Sequence, residues 1–162
     1  MTLEKEKATF AGGCFWGVEY LFSNIKGVVK TAVGYTGGTT MGPTYQQVCA
    51  GNTGHAEAVE ISFDPTIISY EELLHTFFKN HDPTTPNRQG VDVGSQYRSA
   101  IFYHTQKQSE LAKSVINTLE KTNLFSRPII TQITSSTQFY HAEEYHQKYF
   151  EKNGMKGCSV HI

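Results

Sequence analysis

A cysteine stands between a glycine pair and two bulky aromatics in FAGGCFWGVEY, residues 10–20, and no other stretch of the chain carries a stronger chemical signal. Val18, Leu21, Phe22 and Ile25 follow at helical spacing, so a helix is expected to begin at or just after Cys14, behind a strand and a glycine turn. Unpaired N–H groups and the positive end of the helix dipole favour an anion there. They lower the thiol pKa and raise the fraction of thiolate, the nucleophilic form. Gly12 and Gly13 remove side chains that would block approach, while Phe15 and Trp16 offer an apolar wall for something small. The combination predicts an accessible nucleophile beside a hydrophobic pocket; the alternative is a structural cysteine buried in an aromatic core.

A second chemical signal is a carboxyl in an apolar row. In GHAEAVEISF, residues 54–63, alternation puts Glu57, Val59, Ile61 and Phe63 on one strand face, opposite Ala56, Ala58, Glu60 and Ser62. Desolvation of Glu57 would raise its pKa and let it hold a proton near neutrality as a general acid, unless its place at the strand end lets it reach water. Tyr45 and Tyr97 each adjoin a loop and offer hydroxyl donors to a ligand oxygen, with packing at the core or rim as the competing role. Asp92, in GVDVGSQ, is either a site carboxylate or a turn-forming residue between glycines. His55 and the other histidines show no spacing that suggests a metal site, and the three cysteines include no C-x-x-C.

The cysteine count is odd (Cys14, Cys49, Cys158), which argues against a fully paired secretory framework. The opening MTLEKEKATF is charged, and no later segment approaches the roughly eighteen apolar residues of a membrane span, so a reducing cytoplasm is the expected setting. Cys49 shares a short helical stripe with Tyr45 and Val48 and is expected to be packed and inert. Cys158 lies in the Gly-rich KNGMKGCSVHI, where a thiol either reaches a distant partner or is merely exposed.

Positioning these groups requires a core, and 162 residues suffice for one domain without disulfide staples. The formal net charge of -1 supplies no field that would recruit nucleic acid or an anionic membrane, and neither is expected as a partner. Period-two stretches predict strands near 8–11, 28–35, 56–63, 97–104 and 129–134. Helical spacing predicts helices from residue 70, with Ser69 and Glu72 as a capping box, over about 106–120 and over about 142–151. The alternation implies an α/β or α+β two-layer sandwich, a mixed sheet flanked by helices. Two loops stand out, 36–44, rich in Gly and Thr, and 81–96, which exceeds ordinary connections and is a candidate for function.

Several of these stretches together resemble the peptide methionine sulfoxide reductase A family, which acts on the S epimer of the sulfoxide. The match runs through GGCFWG (12–17), YTGG (35–38), PTYQQVCAGNTGHAE (43–57), HDPTTPNRQGVDVGSQYRSAI (81–101) and FYHAEEYHQKY (139–149), nearly the whole chain in order. The resemblance implies a ferredoxin-like βαββαβ core and one catalytic domain over 1–162, with a tail at about 152–162 that carries a resolving cysteine. It makes Cys14 the attacking thiol and Phe15 and Trp16 the holders of the substrate methyl group. Glu57, Tyr45 and Tyr97 would surround the sulfoxide oxygen, Asp92 would help position the substrate, and Cys158 would close a disulfide with Cys14.

It further implies protein repair under oxidative stress on oxidised proteins, peptides or free methionine sulfoxide, by a monomer. Thioredoxin would be the reductant, and neither metal nor organic cofactor is expected. Two departures stand out. Val91 replaces a frequent asparagine, and a second tail cysteine present in many relatives is absent, which leaves a one-step relay unless Cys49 takes part. Two other classes stay open on residues alone: another thiol enzyme, a peroxidase or a hydrolase, and a module that binds methionine side chains without turnover.

Overall fold

Alternation along the strands becomes two chemically different sheet faces. Residues 5–154 are described by a computed structural model. Phe10, on β1 (Glu6–Ala11), lies opposite Val59 of β3 (Ala56–Phe63) and Ile101 of β6 (Ala100–Tyr103), so three apolar side chains share one face. β2 (Val28–Thr36) extends that face through Val33 and Tyr35, paired with Val59 and Glu57. Helices α1 (Phe15–Ser23), α3 (Tyr70–Lys79) and α4 (Gln106–Lys121) cover it. Phe10 stacks against Phe22 of α1 at 5.1 Å and against Phe77 of α3 at 4.9 Å. Burial of each such ring stabilises the fold by about 1.5–3 kcal/mol. The opposite face carries small residues, Ala11, Ala56, Ala58 and Ala100, with Phe102 beside them and Phe139 packed over the group.

The central strands run in the order β6-β1-β3-β2, each antiparallel to its neighbours, with α1 crossing from β1 to β2 and α3 preceding β6. That is the expected ferredoxin-like βαββαβ core in a two-layer α/β arrangement. β7 (Gln132–Ser135) adds in parallel to β6 after α4, and β8 (Tyr140–His141) adds to the far edge on β2, completing a six-stranded mixed sheet.

Local signals explain the helix boundaries. Ser69 accepts from the Glu72 N–H while the Glu72 side chain returns to the Ser69 N–H, the expected capping box, and Tyr70, Leu73, Leu74, Phe77 and Phe78 are buried behind it. Thr44 and Gln47 form the same device ahead of the short α2 (Tyr45–Cys49). The 81–96 loop folds back on itself as a small hairpin, β4 (Arg88–Gln89) with β5 (Asp92–Val93), followed by a 3₁₀ turn at Ser95–Tyr97. The helix expected over 142–151 does not form as one piece. A 3₁₀ turn at Glu144–His146 and α5 (Tyr149–Asn153) flank Lys148, whose φ of 56° interrupts the helix. Glu19 holds that break: its Oε1 accepts from the Lys148 N–H at 2.7 Å and its Oε2 from the Thr31 hydroxyl at 2.8 Å.

Candidate active site

The turn from β1 into α1 places Cys14 at the N-cap of the helix, where its carbonyl accepts from the N–H groups of Gly17 and Val18 at 3.2 and 3.4 Å. Cys14 is half-buried and disulfide-bonded. The glycine pair serves a different purpose from the open approach that its sequence suggests. Both residues are buried. A Cβ on Gly12 would stand 2.9 Å from Phe77 Cε1 and 3.0 Å from His81 Cδ2, and Gly13 has φ +100° with Gln89 closing over it. These glycines let the Cys14 loop pack down on α3 and the 81–96 segment.

The first peptide N–H of α1, that of Phe15, donates to Glu57 Oε1 at 3.2 Å. Glu57 is 1 % exposed, so the strand-end route to water is closed, and its buried Oε2 has no hydrogen-bond partner among the described residues. Burial pushes the Glu57 pKa up to about 8, against the lowering effect of the Phe15 bond and with a further rise from the nearby Asp92 charge. At neutral pH this carboxyl is mainly the protonated acid.

Around it stand the residues singled out from sequence. Burial, then the proximity of Glu57, raises the pKa of both Tyr45 and Tyr97, so both remain phenols with a hydrogen to donate. Asp92 sits on the β4–β5 hairpin with its Oδ2 buried and unpartnered, close enough to act electrostatically on Glu57 and Tyr97. The Phe15 ring is 1 % exposed and packs against Tyr35 at 5.7 Å and Tyr45 at 6.4 Å. Trp16, partly buried, lies flat on Tyr149 with centroids 3.7 Å apart and planes 6° apart.

Cys49 is free and exposed rather than packed, because α2 is a single turn that turns Val48 inward and Cys49 outward. Its thiol is hydrogen-bonded with Tyr45, which brings it to the site's edge. Cys158, expected to resolve the disulfide, lies outside the described residues. Among the described residues no group of three or more His, Cys, Asp or Glu side chains could hold a metal ion, and no helix is long and apolar enough to cross a membrane.

Sequence reasoning assigned no role to Tyr35, Glu143 or His146. Glu143 Oε1 accepts from the Tyr35 hydroxyl at 2.8 Å and its Oε2 from the Tyr45 N–H at 2.9 Å, so one carboxylate fixes both tyrosines. Burial opposes its ionisation, yet these bonds outweigh that and hold its pKa below the ordinary glutamate value. Glu143 and His146 lie in FYHAEEYHQKY, whose density of ionisable and aromatic residues was the signal available in the sequence, and Tyr35 lies in YTGG.

The family model described as "Peptide methionine sulfoxide reductase" matches residues 6–162. The chain belongs to that family. Among curated relatives, the peptide methionine sulfoxide reductase MsrA of Methanosarcina acetivorans is 59% identical over 150 residues, covering 93% of this chain and 80% of that protein. The MsrA of Geobacter metallireducens is 51% identical over 158 residues, covering 98% of each. Among solved structures, reduced Mxr1 of Saccharomyces cerevisiae superposes with a TM-score of 0.91 at 35% identity, covering 98% of this chain and 92% of that one. Methionine sulfoxide reductase A of Corynebacterium diphtheriae gives a TM-score of 0.85 at 37% identity, covering 97% of this chain and 79% of that one. The methionine sulfoxide reductase family thus accounts for both the βαββαβ core and the cysteine at its first helix.

Proposed function

We propose that this protein reduces methionine S-sulfoxide, free or in peptides and proteins, with Cys14 as nucleophile and Glu57 as general acid. The observation that carries the reading is a buried carboxyl bonded at 3.2 Å to the peptide N–H immediately after Cys14, whose burial raises its pKa and favours the protonated acid. Sulfoxide sulfur is a poor electrophile until its oxygen is protonated, so an acid beside the nucleophile meets the main chemical demand of the reaction. Phe15 and Trp16 form the wall against which the methyl group rests. Tyr45 and Tyr97 donate hydrogen bonds to the sulfoxide oxygen while Glu57 transfers its proton, and Asp92 orients the substrate from the hairpin.

The Cys14 thiolate attacks the sulfoxide sulfur as Glu57 gives its proton to the oxygen; the S–O bond and the transient sulfur–sulfur bond then break as the hydroxyl passes to the Cys14 sulfur. Methionine leaves with two more electrons than the sulfoxide had, and Cys14 becomes a sulfenic acid. Condensation with the Cys158 thiol releases water and leaves a Cys14–Cys158 disulfide, which the dithiol of thioredoxin reduces. The unit of function is one catalytic domain, 1–162, with its tail at about 152–162 supplying the second thiol. A reducing cytoplasm suits this cycle because each turnover consumes a dithiol.

Anaerobic incubation of the reduced protein with separated sulfoxide epimers tests the reading. Methionine should form from the S epimer alone, and Cys14→Ser should abolish product even with dithiothreitol present. Product from Cys14→Ser, or equal reduction of both epimers, would refute it.

A further inference from the structure

His55, His81 and His146 pack into the interior, and their nitrogens are treated differently. His81 is bonded at both ring nitrogens, to the Phe77 carbonyl at 2.6 Å and the Ser99 hydroxyl at 2.7 Å. His55 is too, with the Gly38 N–H at 3.0 Å and the Thr40 carbonyl at 2.7 Å. His146 is 0 % exposed, yet among the described residues its Nδ1 has a partner and its buried Nε2 has none. That one bond is specific in direction. Indole N–H can only donate, so Trp16 Nε1, 2.9 Å away, requires Nδ1 to be the bare acceptor nitrogen and leaves the hydrogen of neutral imidazole on Nε2. A histidine retained for stability alone would satisfy both nitrogens, as the other two do.

The rings around His146 belong to the site: Phe15 at 5.2 Å, Tyr45 at 4.4 Å, Trp16 at 5.6 Å and Tyr145 at 4.0 Å. Stacking on Tyr149 fixes the plane of the Trp16 indole but leaves it free to slide or turn within that plane, since an apolar face has no direction along itself. A hydrogen bond at the indole edge removes that freedom. We infer that His146 is a positioning residue, whose Nδ1 holds the Trp16 indole at one azimuth and thereby sets the shape of the wall that receives the substrate methyl group. The inference rests on the reading of Phe15 and Trp16 as that wall. The unmet Nε2–H is the consequence of committing the other nitrogen to Trp16.

Two amides separate this role from general packing. The side-chain oxygen of asparagine can take the place of Nδ1, whereas the amide of glutamine reaches toward the Nε2 position and leaves Nδ1 vacant. With the S-sulfoxide of N-acetylmethionine amide as probe, His146→Asn should keep KM within about twofold of wild type. His146→Gln should raise KM about fivefold or more with a smaller change in kcat, the size expected for one lost hydrogen bond. Trp16 is the sole tryptophan, so fluorescence reports the same event without catalysis: its emission should shift in His146→Gln and not in His146→Asn. In a Trp16→Phe background, which has no N–H to hold, the two amides should give the same KM. Equal KM for both amides in the Trp16 protein, or unshifted emission in His146→Gln, would overturn the inference. Wild-type protein that fails to reduce the probe would instead overturn the functional reading, and the emission contrast would still decide whether His146 holds Trp16.

Discussion

The burial that makes Glu57 costly to the fold is also what suits it to the proposed role of general acid. A carboxyl with 1 % exposure and a pKa of about 8 keeps its proton in the folded state over a range where the unfolded chain, with the ordinary value of 4.5, has released it. The folded state therefore binds more protons between those values, and stability falls as pH rises from about 4.5 through about 8. In the proposed mechanism activity follows the same form of the residue, because a general acid must carry its proton into the transition state. Glu57→Gln separates the two effects. It keeps the shape and a donor but has no transferable proton, so kcat should fall about 10²–10⁴-fold, and the decline of the rate above pH 8 should flatten. The same variant should be more stable than wild type in urea, by a margin that grows from pH 5 to pH 8. A wild-type rate and pH profile in Glu57→Gln would remove the general-acid role; a stability gain independent of pH would mean that Glu57 is not held protonated.

At the element scale Cys14, the proposed nucleophile, depends on two packed junctions, one readable from sequence and one not. The start of α1 at Phe15, with Cys14 as its cap, follows from the apolar stripe behind the glycine pair. The reason for those glycines is not local, because it consists of contacts with α3 and with Gln89 that only the tertiary fold creates. Gly12→Ala tests the junction with the least chemical change. Its methyl group would meet Phe77 and His81, and His81 is held at both nitrogens and cannot swing aside. A loss of about 1–3 kcal/mol is expected, with Tm lower by about 2–4 °C for each kcal/mol, together with a fall in kcat as Cys14 shifts. Thermal unfolding and steady-state rates check both; an unchanged Tm would show that the turn has more slack than the packing allows. The break in the helix expected over 142–151 was hidden for a similar reason. Local spacing there reads as helical, but the Glu19 carboxylate captures the Lys148 N–H from a distant helix and holds the backbone in a left-handed conformation.

Legibility across the whole molecule divides along the same line. The strands that form the core, the capped α3, the Cys14 helix start and the apolar row containing Glu57 were visible because each is a short-range pattern that the fold then obeys. Glu143 and His146 were not, because their roles come from segments that meet only when β8 adds to the edge of β2 and carries the following turns over α1, and the outward turn of Cys49 was not, because α2 is a single turn that buries Val48 alone. That exposed Cys49, hydrogen-bonded with Tyr45 at the rim of the site, makes the identity of the second thiol a question for the whole catalytic cycle. Partial desolvation raises the Cys49 pKa despite its bond with Tyr45, so at neutral pH it is mostly thiol and a poor attacker of a sulfenic acid. Cys158→Ser should accordingly release one equivalent of methionine per protein and then stall with thioredoxin, while dithiothreitol, which attacks the sulfenic acid directly, restores turnover. Cys49→Ser should cycle with thioredoxin at close to the wild-type rate. Sustained thioredoxin-dependent turnover in Cys158→Ser that disappears in the double variant would transfer the resolving role to Cys49, and the catalytic cycle would then close within the described fold without the tail.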